Sequence, residues 1–164
     1  MKQKEVFKKA GRLFFLLFLT NLVGYVGSTF ITPAGVAWYD TLVVSSLNPP
    51  AVWFGIVWTG LYAAMAIAGW LVWNRVSPRP FVIQLAFNLI WPFLFFYMKS
   101  PVWALADIGL MLFFLGRTVR AFYPVSRPAG WLMVLPLIWS LFAAYLNLIV
   151  VLYNTQIGIW MGLI

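Results

Sequence analysis

The sequence predicts an all-α integral membrane protein, one bundle of five transmembrane helices formed by residues 1–164. Three observations predict it: charge is scarce, five long apolar runs are set apart by breakers, and the basic residues crowd one side of those runs. Of 164 residues, 64% are hydrophobic and only 9% charged, with a mean hydropathy of +0.94. A water-soluble domain carries roughly a quarter of its residues as charges, so this chain cannot coat a soluble surface.

The first run, residues 13–31, follows a basic start holding Lys2, Lys4, Lys8, Lys9 and Arg12. From Leu13 to Ile31 it covers about 28 Å, enough to cross the hydrocarbon core. A signal peptide has the same order of parts, and Gly27-Ser28-Thr29 could mimic a cleavage site. The run is longer than the apolar core of a signal, about 7–15 residues, which predicts a retained helix. The second run, residues 51–73, follows Pro49-Pro50, and the third, residues 81–98, follows Pro78-Arg79-Pro80. The fourth, residues 101–122, opens on Pro101, and the fifth covers residues 129–153. Backbone groups in lipid must bond within their own segment, and the alternation of barrel strands is missing, so the runs are helices. The connections are short except residues 32–50, a length that suggests a functional loop. The tail 156–164 is too short to span and is expected to extend the fifth helix or lie at the interface.

Orientation follows from the basic residues. With five crossings, Lys2, Lys4, Lys8, Lys9, Arg12, Arg75, Arg79, Arg117, Arg120 and Arg127 share one side, leaving only Lys99 of the eleven on the other. This predicts a cytoplasmic N-terminus, with the first loop and the C-terminus outside. The net charge of +8 is thereby assigned to lipid headgroups. Nucleic acid, which needs a folded basic surface, is not an expected partner. Cysteine and histidine are both absent, which removes disulfides, thiolate nucleophiles and the commonest metal ligand and general base. No metal site and no required cofactor are expected.

Polar residues recurring on one helical face should turn away from lipid. Asn21, Tyr25, Ser28 and Thr32 recur in this way in the first run, Trp58, Tyr62, Met65 and Gly69 in the second, and Gln84, Asn88, Trp91 and Phe95 in the third. The fifth contributes Trp139, Ala143 and Asn147. Ten Trp and seven Tyr exceed what interfacial belts require. Wide rings with a few amides suit a pocket for a large planar ligand, in which Trp58, Asn88 and Trp139 face one another across a ring-walled chamber. Gly60, Ala64 and Ala68, and Gly24 with Ser28, form small-residue rows suited to close helix packing. Asp107 is the one acid deep in a span and is assigned a structural role, supported by hydrogen bonds or by Lys99.

The loop and its flanks resemble a known family. Trp38-Tyr39 and Leu42, then Pro49-Pro50, then Phe54-Gly55, Val57-Trp58-Thr59, Leu61-Tyr62 and Met65-Ala66 stand at the spacing of the translocator protein family. That family includes the bacterial tryptophan-rich sensory proteins and the mitochondrial peripheral benzodiazepine receptors. The likeness extends through Val26-Gly27-Ser28, Gln84-Leu85, Asn88, Trp91-Pro92, Trp103-Ala104-Leu105, Asp107, Leu135-Pro136, Trp139, Phe142-Ala143 and Leu146-Asn147. The resemblance implies a five-helix bundle, usually a homodimer, whose first loop closes over an internal cavity that binds porphyrins, sterols and synthetic benzodiazepine-type ligands. It implies a ligand site of Tyr39, Trp58, Tyr62, Asn88, Trp91, Trp139, Ala143 and Asn147 under a lid of Trp38, Leu42, Pro49 and Pro50. It also implies residence in a bacterial inner membrane.

The departures matter as well. Val44, Ser45, Ser46 and Leu47 stand where the family carries Lys-Pro-x-Trp, so the lid has no cation for a porphyrin carboxylate. Leu137 replaces a tyrosine, and Tyr153 is followed by no Lys or Arg, which breaks the weak sterol pattern and ranks cholesterol below porphyrin as a ligand. The expected function is a receptor or sensor for porphyrin-type tetrapyrroles. The alternatives are a light-dependent porphyrin-degrading enzyme, with Trp58 and Trp139 as the redox-active rings, and a transporter of tetrapyrroles or sterols.

Overall fold

The computed structural model describes residues 2–155, and the predicted behaviour of the tail 156–164 lies outside them. Five helices among them are long and apolar enough to cross a bilayer. They are α1 (Lys2–Ser28), α3 (Ala51–Leu71), α4 (Arg79–Pro92) together with the turn that continues it to Tyr97, α5 (Pro101–Phe122) and α6 (Arg127–Asn154), with a short α2 (Pro33–Tyr39) in the first loop. The helices touch in the cyclic order α1, α3, α6, α5, α4 and back to α1, so the bundle closes on itself. The N-terminus and the two turns 72–78 and 123–126, with the helix ends beside them that carry Arg79, Arg117, Arg120 and Arg127, therefore flank one end. The first loop and Lys99 flank the other, here called the loop end.

Local chemistry sets the boundaries. The 27 residues of α1 reach about 40 Å, beyond the ~30 Å hydrocarbon core, because the helix begins at Lys2 among solvated lysines rather than at Leu13. In the loop, Thr32 Oγ1 accepts from Gly35 N at 3.1 Å and Pro33 occupies the first turn, a start signal that nucleates α2. The third span is not one regular helix. Pro92 lacks an N–H, and beyond it Phe93–Tyr97 winds as a π-helix, with Met98 N bonding to Phe93 O at 2.9 Å. Lys99 ends the segment at φ 53°, in the left-handed region that terminates helices.

The centre of the ring is filled. Met65, Met111 and Met133 are buried there with Ile108 and Leu115. A smaller cluster at the loop end gathers Phe95, Ala104 and Val150, with Trp38, Tyr39, Leu42, Val44 and Trp91 packed against it. Gly35 brings α2 directly onto the π-helix backbone, where a Cβ would stand 2.6 Å from Phe96 O.

The first helix corrects two expectations. Asn21 and Ser28 point outward, and Tyr25 is 70% exposed. Asn21 Nδ2 donates to Leu17 O at 2.8 Å and Ser28 Oγ to Tyr25 O at 2.7 Å. Each polar group is satisfied on its own helix and gains nothing from facing the bundle. The inward face carries Leu16, Thr20, Gly24 and Gly27 instead. Thr20 is wholly buried, with Oγ1 3.0 Å from both Leu16 O and Tyr62 O. Gly24 is the close-packing residue, where a Cβ would meet Tyr62 Cε2 at 2.4 Å, whereas Ser28 is not its partner. In the second row Ala64 and Ala68 are buried, but nothing lies within 4 Å of a Cβ at Gly60.

Candidate functional site

The predicted site residues divide between the two ends of one aromatic wall. At the loop end, Tyr39 of α2 lies 5.9 Å from Phe95 and 5.8 Å from Phe96, ring to ring. Trp38 lies edge-on to Phe95 at 5.6 Å, and Trp91 stacks on Phe95 at 5.0 Å. Phe95 is the hub of this cluster. The π-helix sets its azimuth, which an α-helical wheel gives only approximately. Burial holds the Tyr39 hydroxyl above its usual range; the nearby Asn48 side chain lowers it and the Asp40 charge raises it.

Asn147 ties three helices together. Its Oδ1 accepts from Trp91 Nε1 at 3.2 Å, and its Nδ2 donates to Pro101 O at 2.8 Å. Asn88 is also engaged: its Nδ2 reaches Gln84 O at 2.9 Å and Gln84 Oε1 at 3.0 Å, while Gln84 Nε2 lies 3.4 Å from Met65 Sδ. The amides thus hold α4 against α3 and α6.

Nearer mid-bundle, Trp58 lies 5.6 Å from Tyr62 on α3, and Trp139 on α6 lies 5.9 Å from Phe54 and 5.6 Å from Phe142. Trp58, Trp91, Trp139 and Ala143 are all half-buried against the same core. They do not face one another across an enclosed space, because Met65 and Gln84 fill the middle. The concavities lie between α3 and α6 instead and open sideways. One of about 350 Å³ is lined by Pro49, Pro50, Trp53, Val57, Trp139 and Phe142. A second of about 390 Å³ shares Val57, Trp139 and Phe142 and continues along Leu61, Leu135 and Ile138.

Trp139 is the predicted ligand-site residue that lines both of these concavities, with the lid prolines Pro49 and Pro50 beside it in the first. Tyr39, Trp58, Tyr62, Asn88, Trp91, Ala143 and Asn147 line neither concavity. The Trp139 Nε1–H is buried without a hydrogen-bond partner. Val57 and Phe142 entered the sequence reading only as part of the family likeness and not as site residues; Val57 precedes Trp58, and Phe142 lies about one helical turn beyond Trp139.

Asp107 is buried, with Oδ2 unpartnered, and Lys99 stands exposed at the loop end. No group of three or more His, Cys, Asp or Glu side chains able to hold a metal occurs among the described residues.

Five apolar helices in a closed ring, with a helical loop seated on aromatic residues at one end, define an integral membrane protein of the small aromatic-bundle type. Its residues 15–152 match the model of the TspO/MBR family. The chain is 44% identical over 142 residues to the tryptophan-rich protein TspO of Chlorobaculum tepidum, covering 80% of this chain and 89% of that relative. It is 38% identical over 114 residues to the tryptophan-rich sensory protein of Cereibacter sphaeroides, covering 67% and 72%. With the human translocator protein it shares 35% identity over 132 residues, covering 75% and 78%. The chain belongs to the TspO/MBR family.

Proposed function

We propose that the protein is a membrane receptor or sensor that binds a porphyrin-type tetrapyrrole, or another large apolar molecule, against the aromatic wall between α3, α4 and α6. The observation that carries this reading is the half-buried Trp139, whose ring lines both concavities between α3 and α6. Each concavity falls within the range of small-molecule sites, about 300–1,000 Å³, and its apolar walls suit a macrocycle. The centre supports the reading too. Methionine side chains repack at low cost, so Met65 and Met133 can yield to a guest where branched residues would not. The unpartnered Trp139 Nε1–H offers a donor to a pyrrole nitrogen or a carboxylate. The ten-to-one distribution of basic residues supports a cytoplasmic N-terminus.

The test is titration of protoporphyrin into the protein in nanodiscs, following tryptophan fluorescence and the Soret band in darkness and in light. Saturable quenching with a stable Soret band is expected. Trp139→Phe should weaken binding about three- to tenfold, as loss of indole stacking area and its donor implies. Quenching that never saturates, or that Trp139→Phe leaves unchanged, overturns the reading. Bleaching that requires light and disappears in Trp58→Phe or Trp139→Phe would replace it with oxidative photodegradation.

A further inference from the structure

One side chain from the last turn of α6 clasps the first loop. Asn154 Oδ1 accepts from Val43 N at 2.8 Å, and Asn154 Nδ2 donates to Val43 O at 2.8 Å. A carboxamide carries the donor and acceptor pair of a peptide unit, so it closes on Val43 as a neighbouring strand would. The second Nδ2 hydrogen goes to Val150 O at 3.0 Å, which holds the rotamer against its own helix. Two residues along the loop, Ser45 Oγ lies 3.1 Å from Tyr145 Oη and accepts from Leu47 N at 3.1 Å. Val44, between them, packs against the cluster around Phe95. This fastened stretch is the one where the chain lacks the family's Lys-Pro-x-Trp.

We propose that Asn154 is the latch of the first loop, holding it shut over the loop end and setting how fast the aromatic wall beneath exchanges its occupant. The statement about occupants rests on the tetrapyrrole reading; the statement about the loop stands without it. The two bonds to Val43 are exposed to water, so the loop can let go while the spanning helices stay intact. The identity of the side chain matters. Aspartate would keep the acceptor for Val43 N but set an oxygen against Val43 O, and alanine would remove both partners.

Because the chain has no cysteine, Val44→Cys supplies a single thiol that is partly shielded against the Phe95 cluster when the loop is closed. Its rate of reaction with a water-soluble maleimide, measured in nanodiscs without ligand, reports loop opening. Adding Asn154→Asp or Asn154→Ala should raise that rate about tenfold, the effect of losing one to two net hydrogen bonds. Asn21→Ala, which removes only a bond to Leu17 O of its own helix, should leave it unchanged. Folding is checked by circular dichroism and gel filtration. Well-folded Asn154 variants that label no faster than the parent overturn the proposal. If those variants do not fold, Ser45→Ala, which releases the Tyr145 tie, must accelerate labelling or the proposal fails. Dissociation of protoporphyrin in darkness is then timed in the same variants. Faster labelling with unchanged dissociation refutes the control of exchange while leaving the latch in place.

Discussion

Replacing Asn147 tests whether the polar interior of this bundle is structural. Asn147 is 2% exposed and joins α6 to α4 through Trp91 Nε1 and to α5 through Pro101 O. Hydrogen bonds between membrane helices average about 0.6 kcal/mol and reach about 1.7. The 2.8 Å bond to Pro101 O belongs near the top of that range, and the 3.2 Å bond from Trp91 nearer the mean. Asn147→Ala should therefore cost about 2 kcal/mol, with a further contribution from leaving the Trp91 N–H unpaired. The assay is equilibrium unfolding in mixed micelles with increasing sodium dodecyl sulfate, read by far-ultraviolet circular dichroism. Trp91→Phe supplies the second arm of a double-mutant cycle, and a coupling of about 0.6–1 kcal/mol with Asn147→Ala is expected for their shared bond. A destabilisation below about 0.5 kcal/mol, within the scatter for substitutions that break no such feature, would refute the assignment. It would return Asn147 to the ligand site that the family resemblance implies.

Other consequences are as direct. Gly24→Val, whose Cβ would stand 2.4 Å from Tyr62 Cε2, should destabilise by about 1–3 kcal/mol as an overpacked core does, whereas Gly55→Ala, with nothing within 4 Å, should be neutral or slightly stabilising in the same unfolding assay. Burial raises the Tyr39 hydroxyl, so the folded state holds that proton more tightly than the unfolded chain. The associated stability is fully present below the ordinary tyrosine range near pH 10 and is lost as pH rises through the folded value. An ultraviolet difference titration of the parent against Tyr39→Phe should show one phenol ionising above pH 10, and a midpoint at or below 10 would contradict its burial.

The five spans were legible because apolar length and flanking charge are coarse signals that no tertiary contact overrides. The family motifs pointed to the same aromatic residues as their helical spacing. What was not legible has specific causes. The reading of α1 assumed that a polar side chain in lipid must look inward, but Asn21 and Ser28 bond to their own helix, while Thr20, not singled out from the sequence, occupies the contact with Tyr62. The start signal of α2 was present as Thr32-Pro33, yet α2 has only 7 residues, too few for hydropathy to mark. The chamber expected between Trp58, Asn88 and Trp139 depended on what stands at the centre. Helix wheels put Met65 on the same face as Trp58 without revealing that it fills the space. The clasp of Asn154 on Val43 joins positions 111 residues apart, a pairing that spacing within one element cannot suggest.

The π-helix at Phe93–Tyr97 has a consequence for how this segment tolerates change in length. Such a turn accommodates one residue more than an α-helical turn, so the segment behaves as an insertion absorbed without breaking the rod. Excising a single residue such as Leu94 would let the ladder relax to regular winding and leave what lies beyond it near its present azimuth, whereas the same excision from a regular helical turn swings it by about 100°. Phe96, whose carbonyl lies against Gly35, and the Lys99 corner would then still meet α2. Loss of one residue here is taken up by the winding and leaves the surface under the loop in place, just as an added residue in the turn 123–126 at the basic end would only lengthen a connection.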